Sequence, residues 1–75
     1  MTEYKDRISA SPEVLHGKPL IKGTRISVEL ILKRLSEGSS VEDLLVAYPH
    51  IAREDVLAAL AYSAEVVSHE ELIST

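Results

Sequence analysis

The sequence predicts a mainly α fold: a short N-terminal β-hairpin or extended arm, followed by a three-helix bundle of helix-turn-helix-like layout. Three observations carry that expectation. Pro12, Gly17, Pro19 and Gly23 crowd the first 26 residues and leave room only for short apolar spots such as Ile8-Ser9 and Leu20-Ile21. From residue 28 onward apolar residues recur at helical spacing. Ser27, Gly38, Ser40 and Pro49 then punctuate that helical stretch as caps and stops would.

Each element follows from its residues. Ile8-Ser9 and Leu20-Ile21 suit a small hairpin or edge pair, with Arg25-Ile26 as a further short strand. Ser27 stands at an N-cap position, and Val28, Ile31, Leu32 and Leu35 make one face of a helix that Gly38 stops at about Glu37. Ser40 with Asp43 three residues on is a variant capping box, and Val41, Leu44, Leu45 and Tyr48 form a stripe that ends before Pro49. A third helix begins at about Arg53, with Glu54 and Asp55 at its positive dipole end. Val56, Leu57, Leu60, Ala61, Ala64 and Val67 give it a broad apolar face, and it is expected to fray beyond Ser68 unless Leu72 and Ile73 extend it or dock on a partner. The chain thus reads as a single domain over 1–75: an arm over 1–26, the bundle over 27–68 and a frayed tail over 69–75. Leu32, Leu35, Leu44, Leu45, Val56 and Leu60 are the expected buried seam.

Composition bounds the class. The 75 residues are 45% apolar but contain no Phe, Trp or Cys, so the core must be aliphatic and no disulfide or thiolate site can staple it. A chain this small gains from oligomerising, and its extended arm offers strand edges, so a homodimer joined at least partly through residues 5–26 is expected. Residues Met1–Asp6 lack a signal-peptide apolar stretch, and no long apolar run exists to span a membrane, which gives a cytoplasmic expectation with no membrane partner. The net charge of −4 is unevenly spread: residues 1–39 hold seven Lys/Arg against five Asp/Glu, and residues 40–75 hold Arg53 alone against seven. Any nucleic-acid contact would therefore fall chiefly to the first half, with Lys18, Lys22 and Arg25 leading and Arg53 auxiliary.

The segment Gly17-Lys18-Pro19-Leu20-Ile21-Lys22-Gly23-Thr24-Arg25-Ile26 sets three cations on a shaped loop. It is a candidate surface for phosphate or for carboxylates, or simply a soluble hairpin. It is not a phosphate-cradling Walker loop, because five residues separate the glycines and Thr24, not Lys, follows the second. His16, His50 and His69 lack the spacing of metal ligands, and Glu42-Asp43 and Glu70-Glu71 diverge around a helix axis, so no metal or other cofactor is expected. No Ser, His and Asp stand in a nucleophile's spacing, and an enzyme is not expected. The second and third helices have a helix-turn-helix layout, but the first turn of the third offers Arg53, then Glu54 and Asp55, a poor set for reading bases.

That basic segment followed by Val28, together with Gly38-x-Ser40-x-Glu42-Asp43-Leu44-Leu45-x-x-Tyr48-Pro49-x-Ile51-x-x-Glu54-Asp55-Val56-x-Ala58-Ala59-Leu60-x-Tyr62, resembles a prokaryotic family of short domains of unknown function. Its members are described as predicted antitoxin components of toxin–antitoxin modules, within a homeodomain-like helix-turn-helix superfamily. The resemblance spans about residues 5–65. It implies a homodimer, a toxin partner of the PIN-like ribonuclease kind and operator DNA as a further ligand. A cation from Lys18, Lys22, Arg25 or Arg34 could then occupy the carboxylate-lined Mg²⁺ pocket of such a nuclease. One departure is Ala52, where such sequences carry Thr or Ser to cap the last helix. The alternative is a small dimeric protein-interaction module with no nucleic-acid contact.

Overall fold

The structure is a computed structural model that describes residues 6–9 and 18–74, with side chains described as far as Ser68. Two short strands, β1 (Ile8–Ser9) and β2 (Leu20–Ile21), precede three helices, α1 (Val28–Ser36), α2 (Val41–Ala47) and α3 (Arg53–Ser74). The expected mainly α fold with an N-terminal hairpin is therefore the fold observed. Pro12, Gly17 and His16 lie outside the described residues, as does Lys5 of the expected dimer arm.

β1 and β2 pair antiparallel, with Ile8 opposite Ile21 and Ser9 opposite Leu20. The other edge of β2 is also taken. Leu20 bridges Ser27, and the Ile21 N–H donates to the Ile26 carbonyl at 2.8 Å. The expected strand at Arg25-Ile26 is thus a brief return of the chain alongside β2.

The helix boundaries follow from their caps. Ser27 accepts the Leu30 N–H at 3.0 Å and opens α1. Gly38, at φ +101°, takes the left-handed conformation that closes it. Ser40 and Asp43 form a reciprocal capping box, each side chain accepting the other's backbone N–H at 3.0 Å. That contact holds the Asp43 carboxyl below its ordinary value, because the backbone and hydroxyl donors of Ser40 favour the ionised form. At α3 the alanine at position 52 cannot cap through its side chain. Asp55 supplies half of a box instead, accepting the Ala52 N–H at 2.8 Å.

The core is aliphatic: Ile21, Val28, Ile31, Leu44, Ile51, Val56 and Ala59 form one buried cluster. Leu32, Leu35 and Leu45 pack against its margin, half-buried. Leu60 departs from the expectation and is 40% exposed. The reason is rotational. The buried arc of α3 runs from Ala58 through Ala59 to Val56, and Leu60 lies about 40° beyond Val56, at the margin of that arc. Apolar residues surround α3 on nearly every side, so spacing alone does not select the arc that faces inward. The helix also runs on to Ser74, with no Gly or Pro in its 22 residues to end it at Ser68.

Candidate interaction surface

The turn between β2 and α1 is fixed by its own hydrogen bonds. Gly23 adopts φ +81°, which a residue with a Cβ avoids. Thr24 bridges the turn: its hydroxyl donates to the Ile21 carbonyl at 2.8 Å and accepts the Ile26 N–H at 3.0 Å. The Lys22 N–H donates to the Arg7 carbonyl, and the Val28 N–H to the Pro19 carbonyl. With the backbone held this way, Lys22 and Arg25 are exposed on either side of Gly23-Thr24.

The five cations singled out by sequence fall at three separate places. Lys22 and Arg25 share the turn, and neither has an ion-pair partner among the described residues. Lys18 lies close by in the chain but is engaged, 2.7 Å from Glu29, whose carboxyl is held below its ordinary value first by that hydrogen bond and then by the charge of Lys18. Arg34 stands near the α1–α2 corner, where Tyr48 and then Glu37, 3.5 Å away, raise its already high pKa and keep it cationic. Arg53 is tied to Glu42 on α2. The Glu42 carboxyl is depressed first by its own backbone N–H at the helix start and then by Arg53. The first turn of α3 is therefore a mixed-charge clip of Arg53, Glu42, Glu54 and Asp55.

Sequence reading passed over Arg7. Its guanidinium lies 3.0 Å from Asp55, which is itself largely buried. The two lie 48 residues apart in the chain, so no local pattern links them. Asp6, Arg7, Lys22 and Asp55 line an open cleft of about 620 Å³ beside the turn. A second, apolar groove of about 310 Å³ runs between α1 and α3, lined by Pro19, Val28, Leu32, Tyr62, Val66 and Val67. Among the described residues no three His, Asp or Glu side chains converge as metal ligands would, and no helix is long and apolar enough to cross a membrane.

A small helical unit presenting a rigid basic turn is the class of protein these features define. Residues 8–63 match the family of proteins of unknown function designated DUF433, and the chain belongs to that family. It is 32% identical over 59 residues to the uncharacterized protein y4eO of Sinorhizobium fredii. The match takes in 79% of this chain but 27% of that protein, so the chain spans about a quarter of its relative's length. The crystal structure of a DUF433 member protein from Anabaena variabilis superposes with a TM-score of 0.80 at 28% identity, over 95% of this chain and 71% of the other.

Proposed function

We propose that this chain is the antitoxin of a toxin–antitoxin module, and that it neutralises a PIN-like ribonuclease by presenting the Lys22–Arg25 turn to the nuclease's carboxylate-lined Mg²⁺ site. The observation that carries this reading is the state of the cations. Lys18, Arg34 and Arg53 are each paired within the chain, whereas Lys22 and Arg25 are exposed and without an ion-pair partner among the described residues. Charge-assisted hydrogen bonds from such groups to carboxylates are the stronger kind, and the guanidinium of Arg25 suits a bidentate carboxylate. Binding of operator DNA as a homodimer is a second role of the same turn. Arg53, neutralised by Glu42 and flanked by Glu54 and Asp55, is poorly placed to lead it.

The test is an RNA-cleavage assay with any PIN-like ribonuclease found encoded beside this chain, titrated with wild type and with Lys22→Ala/Arg25→Ala. Wild type should abolish cleavage near equimolar ratio. The double variant should need at least about tenfold more protein, since each charge-assisted bond to a buried carboxylate is worth about a factor of ten or more. Equal inhibition by the variant would remove the turn from the mechanism. No inhibition by wild type would remove the antitoxin reading and leave an interaction module without nucleic-acid contact. A gel shift on the adjacent promoter with the same two proteins tests the DNA role.

A further inference from the structure

The two cations of the Lys22–Arg25 turn are anchored differently. On the Arg25 side the turn holds itself, through the Thr24 hydroxyl that bridges the Ile21 carbonyl and the Ile26 N–H. On the Lys22 side the anchor comes from outside the turn, because the Lys22 N–H donates to the Arg7 carbonyl at 2.8 Å. Arg7 immediately precedes β1, whose ladder with β2 is two residues long. A two-stranded ladder of that length is marginal by itself. Ile8 gives β1 an apolar foothold at the margin of the core. Arg7 gives it a polar one: its Nη1 donates to Asp55 Oδ1 at 3.0 Å, across 48 residues of chain. The other oxygen of Asp55 accepts the Ala52 N–H at 2.8 Å, so this carboxylate is itself fixed at the start of α3. The Asp55 side chain is 13% exposed, and a pair sheltered in this way is screened less than one in open solvent.

We propose that Arg7 is a positioning residue for this turn: by tying the start of β1 to Asp55 it holds the backbone of Lys22, and so sets how Lys22 meets a partner's carboxylate. The partner rests on the antitoxin reading; the anchoring of Lys22 does not. The linkage is continuous. From the Ala52 N–H it runs through the Asp55 carboxylate and the Arg7 guanidinium to the Arg7 carbonyl and the Lys22 N–H. Arg7 lines the same cleft as Lys22, but its charge is answered by Asp55, whereas Lys22 has no ion-pair partner among the described residues. A carboxylate entering the cleft is therefore drawn to Lys22, and Arg7 acts through it. The two halves of the turn should also respond unequally. Without the Arg7 side chain the Lys22 half loses its outside anchor, while the Arg25 half keeps the Thr24 bridge. One bond from one nitrogen to one oxygen does not demand the guanidinium fork, so lysine at position 7 keeps the anchor. Methionine keeps an apolar stem there and loses the charge.

Amide hydrogen exchange of the full chain, read by NMR, tests the anchoring. In Arg7→Met the protection of the Lys22 amide should fall at least about tenfold relative to that of the Ile26 amide, the scale of one charge-assisted hydrogen bond. Arg7→Lys should restore most of that ratio. A general loss of stability lowers both amides together, and an unchanged ratio in Arg7→Met would overturn the proposal. A mutant cycle in the RNA-cleavage assay tests the positioning. Arg7→Met should raise the half-inhibitory concentration by the same factor in wild type and in Arg25→Ala, and by no more than Lys22→Ala raises it. In the Lys22→Ala background it should add nothing. Costs of Arg7→Met and Lys22→Ala that multiply independently would make Arg7 a direct contact and overturn the positioning role. A wild type that fails to inhibit removes the antitoxin reading alone, because the exchange experiment uses no partner and still decides whether Arg7 seats Lys22.

Discussion

Ile31→Ala is the most direct test of the core. Ile31 is 0% exposed in the middle of α1 and belongs to the cluster that joins α1 to β2, α2 and α3. The substitution removes three buried carbons, about 2.4 kcal/mol at the usual value per methylene. A cavity that relaxes only in part adds about 1–2 kcal/mol. Alanine's better helix propensity returns about 0.4 kcal/mol. The net cost is therefore about 3–4 kcal/mol, set against a total of roughly 4–11 kcal/mol for a domain of this length. Circular dichroism melts at a fixed low-micromolar concentration should show Tm falling by about 15–30 °C, with Ile31→Val falling by no more than about a third of that. Leu60→Ala measured beside it should cost less than half as much, because Leu60 is 40% exposed. A Tm for Ile31→Ala within a few degrees of wild type, or a larger loss for Leu60→Ala, would show that the buried arc has been assigned to the wrong residues.

Two further outcomes follow from the caps and charges. Gly38→Ala should lower Tm by about 4–8 °C, reflecting about 1 kcal/mol of left-handed backbone strain; an added Cβ there would meet nothing within 4 Å, so a much larger loss would mean that packing is involved. The carboxyls of Glu29, Glu42 and Asp43 are depressed below ordinary values of 4.5, 4.5 and 3.8. Stability from a depressed carboxyl is complete above the unfolded value and is lost as pH falls through the folded one. Tm should thus be level from pH 7 to about 5.5 and decline below about pH 4.5, more shallowly in Asp43→Ala, and a Tm constant to pH 3 would contradict these contacts.

Much of the fold was legible because its signals are local. Ser27, Gly38 and the Ser40–Asp43 pair act within one turn of helix, and each does in the structure what its residue type predicts. Long-range pairings were not legible. Arg7 with Asp55 and Arg53 with Glu42 depend on how elements pack, and neither spacing nor composition encodes that. The inward arc of α3 was hidden for a related reason. With Ala or Val at so many positions, the choice between Leu60 and Ala59 is made by the shape of the groove that α1 and α2 present. Of the candidate site, sequence supplied the residues, and ion pairing separated Lys22 and Arg25 from the rest.

The Thr24 bridge across the Ile21–Ile26 turn has a thermodynamic consequence for whatever the turn meets. A flexible loop must surrender backbone conformational entropy of about 1–2 kcal/mol per residue when it is ordered by a partner. Here the six residues are already ordered by bonds internal to the chain, so association draws chiefly on the side-chain freedom of Lys22 and Arg25. A preordered pair of cations can dock without a slow rearrangement, and its encounter rate is governed by electrostatic attraction and by ionic strength.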